Sequence, residues 1–209
     1  MTRAIPHQKK RQYLPATERR RRILESSRAV FAQSGLRGSR TRELAQAAGV
    51  NQATLFEHFS SKEELFMQAV VEPLVELMAG ARKRAGHYAQ ADSPEVFSRR
   101  LEQAVGEHLG SVADSFPLLV QALFSDQTLG SKLYCEHIAP ALEAQAEAMK
   151  DFVADDLEPR LVQLASFGMF FAVAMDSAMT GRTVDQQCVA RQLSRMLAHG
   201  GTTLVKDTT

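Results

Sequence analysis

The chain has 209 residues, a length that suffices for one or two domains with a hydrophobic core. Of these residues 44% are hydrophobic and 23% are charged, a composition that excludes a chain disordered throughout. It contains neither an uninterrupted apolar run of about 18 residues nor a signal-peptide pattern, so we expect a soluble, cytoplasmic protein without a membrane segment. The formal net charge is +1, but residues 1–65 hold 13 Lys and Arg against 6 Asp and Glu, whereas residues 66–209 hold 12 against 18. A basic N-terminal third favours contact with phosphate, although by itself it fits a solvated surface equally well.

Residues 1–15 contain two prolines and the cluster Lys9-Lys10-Arg11 with little apolar periodicity, so we expect a disordered basic arm. Such an arm can follow a phosphate backbone; a tail without a role is the alternative. After Pro15, apolar residues at helical spacing predict a first helix over about 16–34. The run Arg19 to Arg22 opposes the dipole at the start of this helix, a penalty that bound phosphate would remove.

The segment TRELAQAAGVNQATLFEHFSSK has the pattern of two short helices joined by a tight turn. Gly49 follows the last apolar residue of the first helix, where a left-handed C-cap is required. Asn51 is a good N-cap for the second helix, whose Leu55 and Phe59 lie four residues apart and face inward. Small and polar residues lead this second helix. A helix that enters the major groove of DNA needs such a start, because its first turn must approach base edges.

The remaining signals of the N-terminal part mark helix boundaries. Gly35 is the expected C-cap of the first helix, and Ser39 is the expected N-cap of the second. A fourth helix is expected to begin at Ser60 or Ser61. Pro73 lies inside its apolar face and should bend it, which would make this helix a lever between the two parts of the chain.

Beyond residue 86 the apolar residues keep a helical period. Helices are predicted over 93–113, 116–125, 131–152, 158–180 and 184–200, with connections around residues 115–117 and 129–130. The helix over 158–180 is apolar nearly all round, more than one small domain can cover. We therefore expect it and the last helix to form a four-helix interface in a homodimer, the alternative being a core helix of a monomer. The candidate interface residues are Leu164, Phe167, Phe171, Leu193, Met196 and Leu197.

The stretch from about Thr17 to Val70 resembles the DNA-binding domain of the TetR family of transcriptional regulators. The resemblance rests on RRILESSRAVFAQSG, the following Gly-Leu turn, Ser-x-x-x-x-Leu-Ala, Ala-Gly-Val, Thr-Leu-Phe-x-His-Phe and Ser-Lys-Glu-Glu-Leu. It implies a DNA surface formed by Thr41, Arg42, Asn51, Gln52, Ala53, Thr54, Phe56, His58 and Lys62. Arg42 suits guanine O6 and N7, a solvated helix Arg being the alternative, whereas His58 and Lys62 suit phosphate. Phe56 departs from the family pattern, which commonly has Tyr there with its hydroxyl on a phosphate.

For a ligand pocket the sequence offers candidates without a motif. Pockets are mostly apolar with a few placed polar groups, and the candidates share that character: Phe97, His108, Phe116, Phe124, Tyr134, His137, Phe170 and Met175. Aromatic residues at helical spacing also form ordinary cores, so the core is the alternative for each. Cys135 and Cys188 lack metal-binding spacing, and we expect them to stay reduced, with a disulfide or a redox sensor as the alternative.

The sequence thus predicts an all-α protein of about nine helices. A basic arm over residues 1–15 precedes a helix-turn-helix domain over 16–65 and a helical effector-binding and dimerisation domain over 66–209. We expect a bacterial transcriptional regulator, a homodimeric repressor that a small hydrophobic or amphipathic molecule releases from a palindromic double-stranded DNA operator. The alternative is a constitutive DNA-binding or protein-interaction module without an effector. An enzyme is not expected, because the sequence has no HExxH, GxSxG or glycine-rich phosphate loop, and neither is a cofactor or a metal.

Overall fold

A computed structural model describes residues 15–88 and 92–201, and all regular structure within these two ranges is helical. The α-helical segments are α1 (Ala16–Gly38), α2 (Thr41–Ala47), α3 (Gln52–His58), α4 (Lys62–Phe66), α5 (Glu72–Tyr88), α6 (Pro94–Phe124), α7 (Gln127–Leu133), α8 (Ala139–Met149), α9 (Pro159–Thr180) and α10 (Gln186–Gly201). The π-helical turns Met67–Val71 and Tyr134–Ile138 join α4 to α5 and α7 to α8, so these described segments form eight continuous helices. The predicted all-α class is confirmed. Residues 1–14 of the predicted basic arm lie outside the described part of the chain.

Gly35, the predicted C-cap of the first helix, is the non-helical residue inside α1, but the helix does not end there and continues to Gly38. Gly35 has φ 63° and ψ −174°, a backbone conformation that is open essentially to glycine alone, and one further helical turn follows it. Ser39, however, is not the N-cap of α2: it is buried at the end of α1, and its hydroxyl donates to the Leu36 carbonyl at 3.1 Å. The N-cap is Arg40, whose backbone N–H donates to the Glu43 carboxylate at 3.3 Å. The prediction was wrong by one residue because Ser39 serves the preceding helix.

The helix that leads out of the N-terminal part runs on past Pro73. Ser61 caps its start, as predicted, by accepting the backbone N–H of Glu64 at 3.0 Å. The irregularity expected from Pro73 takes the form of the π-helical turn directly before it, over Met67–Val71. Arg28 on α1 donates to the Ala69 carbonyl within that turn at 2.9 Å. The wider turn is therefore held from outside by α1.

The predicted break near Pro117 is wrong, because α6 is one helix from Pro94 to Phe124. Its buried stripe keeps the same phase on both sides of the proline, through Val112, Phe116 and Leu119, while Pro117 itself is exposed. Continuous packing of the stripe outweighs one missing backbone hydrogen bond, and solvent can satisfy the carbonyl that is left over.

The predicted connection at residues 129–130 is also wrong, since both residues lie inside α7. The real connection is at Ser125 and Asp126, and Asp126 caps α7 by accepting the Leu129 backbone N–H at 2.9 Å. Gly130 is buried where α7 crosses α6, and a Cβ there would lie 2.0 Å from the Leu123 carbonyl oxygen. Glycine is present for close helix approach and not for a turn.

The two parts of the molecule pack directly on each other, because α1 lies against α6. Gly35 fits close to the Gln121 and Ser125 side chains, and Arg37 forms an ion pair with Asp126. The Leu129 backbone N–H, together with Arg37, holds the pKa of the Asp126 carboxyl below its ordinary value. Asp126, in the connection between α6 and α7, therefore caps α7 and also binds α1.

Candidate nucleic-acid interface and internal cavity

The turn between α2 and α3 is fixed by a left-handed glycine, as the sequence predicted. Gly49 has φ 68°, and its N–H donates to the Gln46 carbonyl at 3.0 Å, while the Val50 N–H reaches the Ala45 carbonyl at 3.0 Å. This pair of bonds is the Schellman arrangement, which satisfies carbonyls at the end of α2 and sends the chain away sharply. The angle between α2 and α3 thus depends on residue 49.

The start of α3 is capped by Asn51, whose side-chain oxygen accepts the Thr54 backbone N–H at 2.7 Å. The outward face of α3 carries Gln52, Ala53 and Phe56, and the Phe56 ring is 45% exposed. Thr54 is half-buried. The first turn therefore presents small and polar side chains to solvent, together with backbone N–H groups.

The inward face of α3 anchors it to the N-terminal core. Leu55 and Phe59 are 0% and 1% exposed and join a cluster in which the Phe31 and Phe66 rings meet edge to face, with centroids 5.0 Å apart. A seven-residue helix is marginal by itself, so this packing is what holds it in place.

Arg20 fixes the other end of α3, which sequence reasoning did not anticipate. Its guanidinium lies 4.2 Å from the centroid of the Phe59 ring and donates to the His58 carbonyl. The same group donates to Gln68 Oε1 at 2.5 Å and lies 3.8 Å from Glu64. Arg20 thus links α1, α3 and the helix that begins at α4. No sequence pattern signals this role, because its partners are 38 to 48 residues away.

The neighbouring arginines are also paired within the protein. Arg21 lies 2.7 Å from Glu18 and 2.5 Å from Glu25, and Arg22 lies 3.4 Å from Glu18. These hydrogen bonds and charges, with Arg21 the largest contributor, hold the pKa of Glu18 below its ordinary value. The repulsion that the sequence predicted at the start of α1 is therefore offset by nearby carboxylates, without any need for phosphate.

Lys62 reaches from the start of α4 to the end of α1, where its ammonium donates to the Ser39 carbonyl at 3.0 Å. This contact brings Lys62 beside Thr41 and Arg42 at the start of α2. Arg42 is exposed, and Thr41 is half-buried. The Lys62 ammonium thus lies at the junction between α1 and α2, and Arg42 is exposed in the first turn of α2.

A cavity of about 950 Å³, including the part open to solvent, lies among α5, α6, α8 and α9. Of the eight predicted ligand residues, Phe97, His108 and Phe170 line it, and the His108 and Phe170 rings meet edge to face at 4.7 Å. The other five predicted residues do not line this cavity: Phe116, Phe124, Tyr134, His137 and Met175.

Each of those five lies elsewhere for a simple packing reason. Phe116 is buried against Phe171, and Phe124 and Met175 are on the surface, 67% and 44% exposed. Tyr134 and His137 lie in the π-helical turn between α7 and α8. Their aromatic or apolar character gave no information about which face of a helix they occupy.

The apolar helix α9 is covered on one side only. By length and composition it is long and apolar enough to cross a membrane, yet only 17% of that apolar stretch is buried within the described chain. An exposed stripe runs along it through Leu161, Leu164, Ala165, Gly168, Ala172, Met175 and Met179.

Two of the predicted interface residues are exposed as expected, Leu164 at 37% and Met196 at 60%. Leu193 is buried within the protomer, and Phe167 and Leu197 line the cavity. Phe171 packs on Phe116. Four of the six predicted interface residues thus lie inside the protomer. On α9 this happens because a helix that is apolar all round has no polar side to indicate which face turns outward.

Comparison with known proteins finds the same N-terminal unit. The family model for "Bacterial regulatory proteins, tetR family" matches residues 23–69. The transcriptional activator FasR of Mycolicibacterium smegmatis is 26% identical over 167 residues, which cover 79% of this chain and 73% of FasR. The transcriptional repressor KstR2 of Mycobacterium tuberculosis is 45% identical over 47 residues, 22% of this chain and 24% of KstR2.

The whole fold also has solved counterparts. The transcriptional regulator FadR from Bacillus subtilis, solved in complex with stearoyl-CoA, superposes with a TM-score of 0.64 at 17% identity, covering 86% of this chain and 98% of FadR. Family model, relatives and fold agree with the helix-turn-helix geometry of α2 and α3. Residues 23–69 therefore form a DNA-binding domain of the TetR family of bacterial regulatory proteins, and the chain is a DNA-binding transcriptional regulator.

Proposed function

We propose that the protein is a homodimeric repressor, which a small hydrophobic molecule releases from a palindromic operator. The observation that carries the proposed binding to DNA is the way in which α3 is exposed on the surface. Its first turn exposes Gln52 and Ala53 without large side chains, while Leu55 and Phe59 hold the helix rigidly on the core. Such a helix fits the major groove of B-DNA, which admits one α-helix.

The contacts proposed within the groove follow from side-chain chemistry. Arg42 reads a guanine through O6 and N7, Gln52 contacts a base edge or a phosphate, and Ala53 meets a thymine methyl group. Thr41, Thr54, His58 and Lys62 bind phosphates, together with backbone N–H groups at the start of α3 that Asn51 leaves unpaired. Phe56 has no hydroxyl to donate, so its exposed ring packs against a sugar.

The homodimer is supported by the uncovered stripe on α9. Small residues at its centre, Ala165, Gly168 and Ala172, allow a second helix to approach closely, and larger apolar residues flank them. A two-fold dimer places two α3 helices about 34–36 Å apart, one turn of DNA, which requires a palindromic operator.

Release by a ligand is supported by the cavity and by the packing of α1 on α6. A ligand lowers the affinity for DNA when it binds more tightly to the conformer of the helical domain that binds DNA less well. DNA then lowers the affinity for the ligand by the same factor. The cavity lies against α6, the helix whose far end holds Gly35 and Arg37 of the DNA-binding domain. A constitutive regulator without an effector is the weaker candidate, because it gives this cavity no role.

The test begins with selection of bound fragments from random duplex DNA by the full chain, followed by titration at several salt concentrations. We expect Arg42→Ala to lose about 1–3 kcal/mol on the preferred sequence and to relax the choice at one base position. We expect Lys62→Ala to weaken all sequences alike and to reduce the slope of log affinity against log salt by about 1.

Matched controls are Arg195→Ala on α10 and Lys132→Ala on α7, both exposed basic residues outside the DNA-binding domain. They should leave sequence preference and salt slope unchanged. If they behaved like Arg42→Ala and Lys62→Ala, or if neither of the latter changed binding, the proposed DNA surface would be wrong. A reporter driven by the selected operator then distinguishes repression from the activation that the name of FasR indicates for that relative.

A further inference from the structure

The face of α9 that borders the cavity carries one polar side chain which the fold leaves without a partner. Gln163 is 8% exposed and lines the cavity, yet no other described residue forms a hydrogen bond with its amide. Buried amide groups in proteins are nearly always paired with protein, water or ligand. Among the described residues only Ser27 Oγ is fully buried without a partner, so the Gln163 amide is open to the cavity, where water or a ligand serves as its partner.

The other polar side chains of the cavity do not satisfy this amide. Ser166, one turn further along α9, donates its hydroxyl proton to the Val162 carbonyl at 2.8 Å and keeps only acceptor capacity. Gln145 on α8 also lines the cavity, and the described residues offer its amide no hydrogen bond either. Two amides thus border the same space, each able both to donate and to accept.

Apart from His108, whose ring meets that of Phe170 edge to face, the rest of the described lining is apolar. Phe97, Leu101, Val105, Met149 and Phe170 are among the lining residues, and none of those described is Lys, Arg, Asp or Glu. A full charge placed against such a wall loses its hydration without an opposite charge in return. An uncharged polar group that pairs with an amide meets no such penalty.

Water alone does not match this arrangement. A water molecule needs two to four polar partners, whereas most of the cavity wall is apolar and offers water none. A molecule with an apolar body and one hydrogen-bonding group matches both parts of the wall.

We propose that Gln163 is the ligand-recognition residue of the cavity, and that it hydrogen-bonds an uncharged carbonyl or hydroxyl group on an otherwise apolar ligand. This inference rests on the proposed ligand-responsive function and adds the chemical class of the ligand.

The probes that test it share one apolar body: naphthalene, 2-acetylnaphthalene, 2-naphthol and 2-naphthoate. Binding to the full chain is measured by ligand-observed NMR and calorimetry above neutral pH, where the naphthoate is ionised. We expect the ketone and the naphthol to bind at least about tenfold more tightly than naphthalene, the value of one good hydrogen bond to a buried group, and more tightly than the naphthoate.

The variant Gln163→Leu should abolish the preference for the ketone and the naphthol while leaving the binding of naphthalene intact. It should also raise the melting temperature of the ligand-free protein, because it removes an unpaired buried amide; an amide with a structural role would give the opposite shift. Gln163→Met serves as a second apolar variant. The matched control is Gln127→Leu, since Gln127 is exposed on α7.

Three results would overturn the proposal: tightest binding of the naphthoate, a ketone preference that survives both apolar variants, or a melting temperature that falls in both. Binding of all four probes without dependence on Gln163 would leave the ligand-responsive function standing while removing the proposed recognition. Binding of none of them, with DNA binding retained, would count against the effector as well.

Discussion

Gly49 and Gly38 flank α2 and differ in the one property that decides whether a side chain is tolerated. Gly49 has φ 68° with open space around it, so only backbone strain opposes a Cβ there. Gly38 does not have a positive φ, and a Cβ at that position would meet the Ser34 Cβ at an ordinary 3.5 Å. The two glycines therefore separate the effect of conformation from that of crowding.

The substitution Gly49→Ala should lower the free energy of unfolding by about 1–2 kcal/mol, because an L residue in the left-handed region is strained. Gly38→Ala should be neutral or slightly stabilising, since it only restricts the unfolded chain. Urea denaturation of both variants measures the difference. Equal effects would show that residue 49 does not set the turn between α2 and α3.

A second prediction concerns Ser27, which is fully buried on α1 and whose hydroxyl has no hydrogen-bond partner among the described residues. Ser27→Ala removes a desolvated polar group and introduces a better helix former. It should therefore raise the free energy of unfolding by about 1 kcal/mol. Ser26→Ala is the matched control, because the Ser26 hydroxyl donates to the Arg22 carbonyl at 2.8 Å. A loss of stability in Ser27→Ala would mean that its hydroxyl is satisfied after all.

At the scale of elements, the start of α4 depends on a carboxylate. Glu64 accepts from the Ser60 hydroxyl at 2.5 Å and from the Ser60 backbone N–H at 2.6 Å, and these bonds hold its pKa below the ordinary value of 4.5. A carboxyl with a lowered pKa in the folded state stabilises the protein above its unfolded pKa. That contribution disappears as pH falls through the folded pKa.

Glu64→Gln should therefore destabilise the protein at pH 7, and the difference from the unsubstituted protein should shrink as the pH falls below about 4.5. Denaturant unfolding of both proteins across this pH range measures it. Glu63→Gln is the control, because Glu63 lies exposed in the same helical turn. If the stability difference between Glu64→Gln and the unsubstituted protein did not change with pH, the charge of the Glu64 carboxylate would not be what stabilises the start of α4.

The elements also show why some boundaries were predictable. Asn51, Ser61 and Ser93 each accept a backbone N–H of the helix that they precede, so their identity reveals the helix start locally. Pro117 misled the prediction because its effect depends on what its neighbours pack against. Gly130 misled it because a glycine can serve close approach as well as a turn.

At the scale of the whole molecule, the uncovered stripe on α9 leads to a prediction about assembly. Ala172→Glu places a carboxylate in the middle of the stripe and should convert the proposed dimer to monomers, because a charge buried in that interface has no partner. Ala148→Glu adds the same group to an exposed position on α8 and should leave the dimer intact. Sedimentation velocity over a range of concentrations reports the assembly state. A dimer that survives Ala172→Glu would place the interface elsewhere.

Among the features that the sequence determined by itself are the helical class, the turn at Gly49, the caps at Asn51 and Ser61, and the inward pair Leu55 and Phe59. These follow from interactions between residues within about one or two helical turns, which a linear pattern displays. The resemblance to the TetR family came from the same local blocks, which is why it covered the DNA-binding domain alone.

Only the tertiary structure decided which face of each helix meets which neighbour. Residues distant in the chain determine three contacts: that of Arg20 with the end of α3, that of Lys62 with the Ser39 carbonyl, and that of Gln163 with the cavity. Of the eight aromatic and sulfur-containing ligand candidates, packing kept three at the cavity and sent five elsewhere. The physical reason is that helical periodicity gives the relative phase of apolar residues, whereas burial and pairing of a side chain are set by the helix that packs across from it.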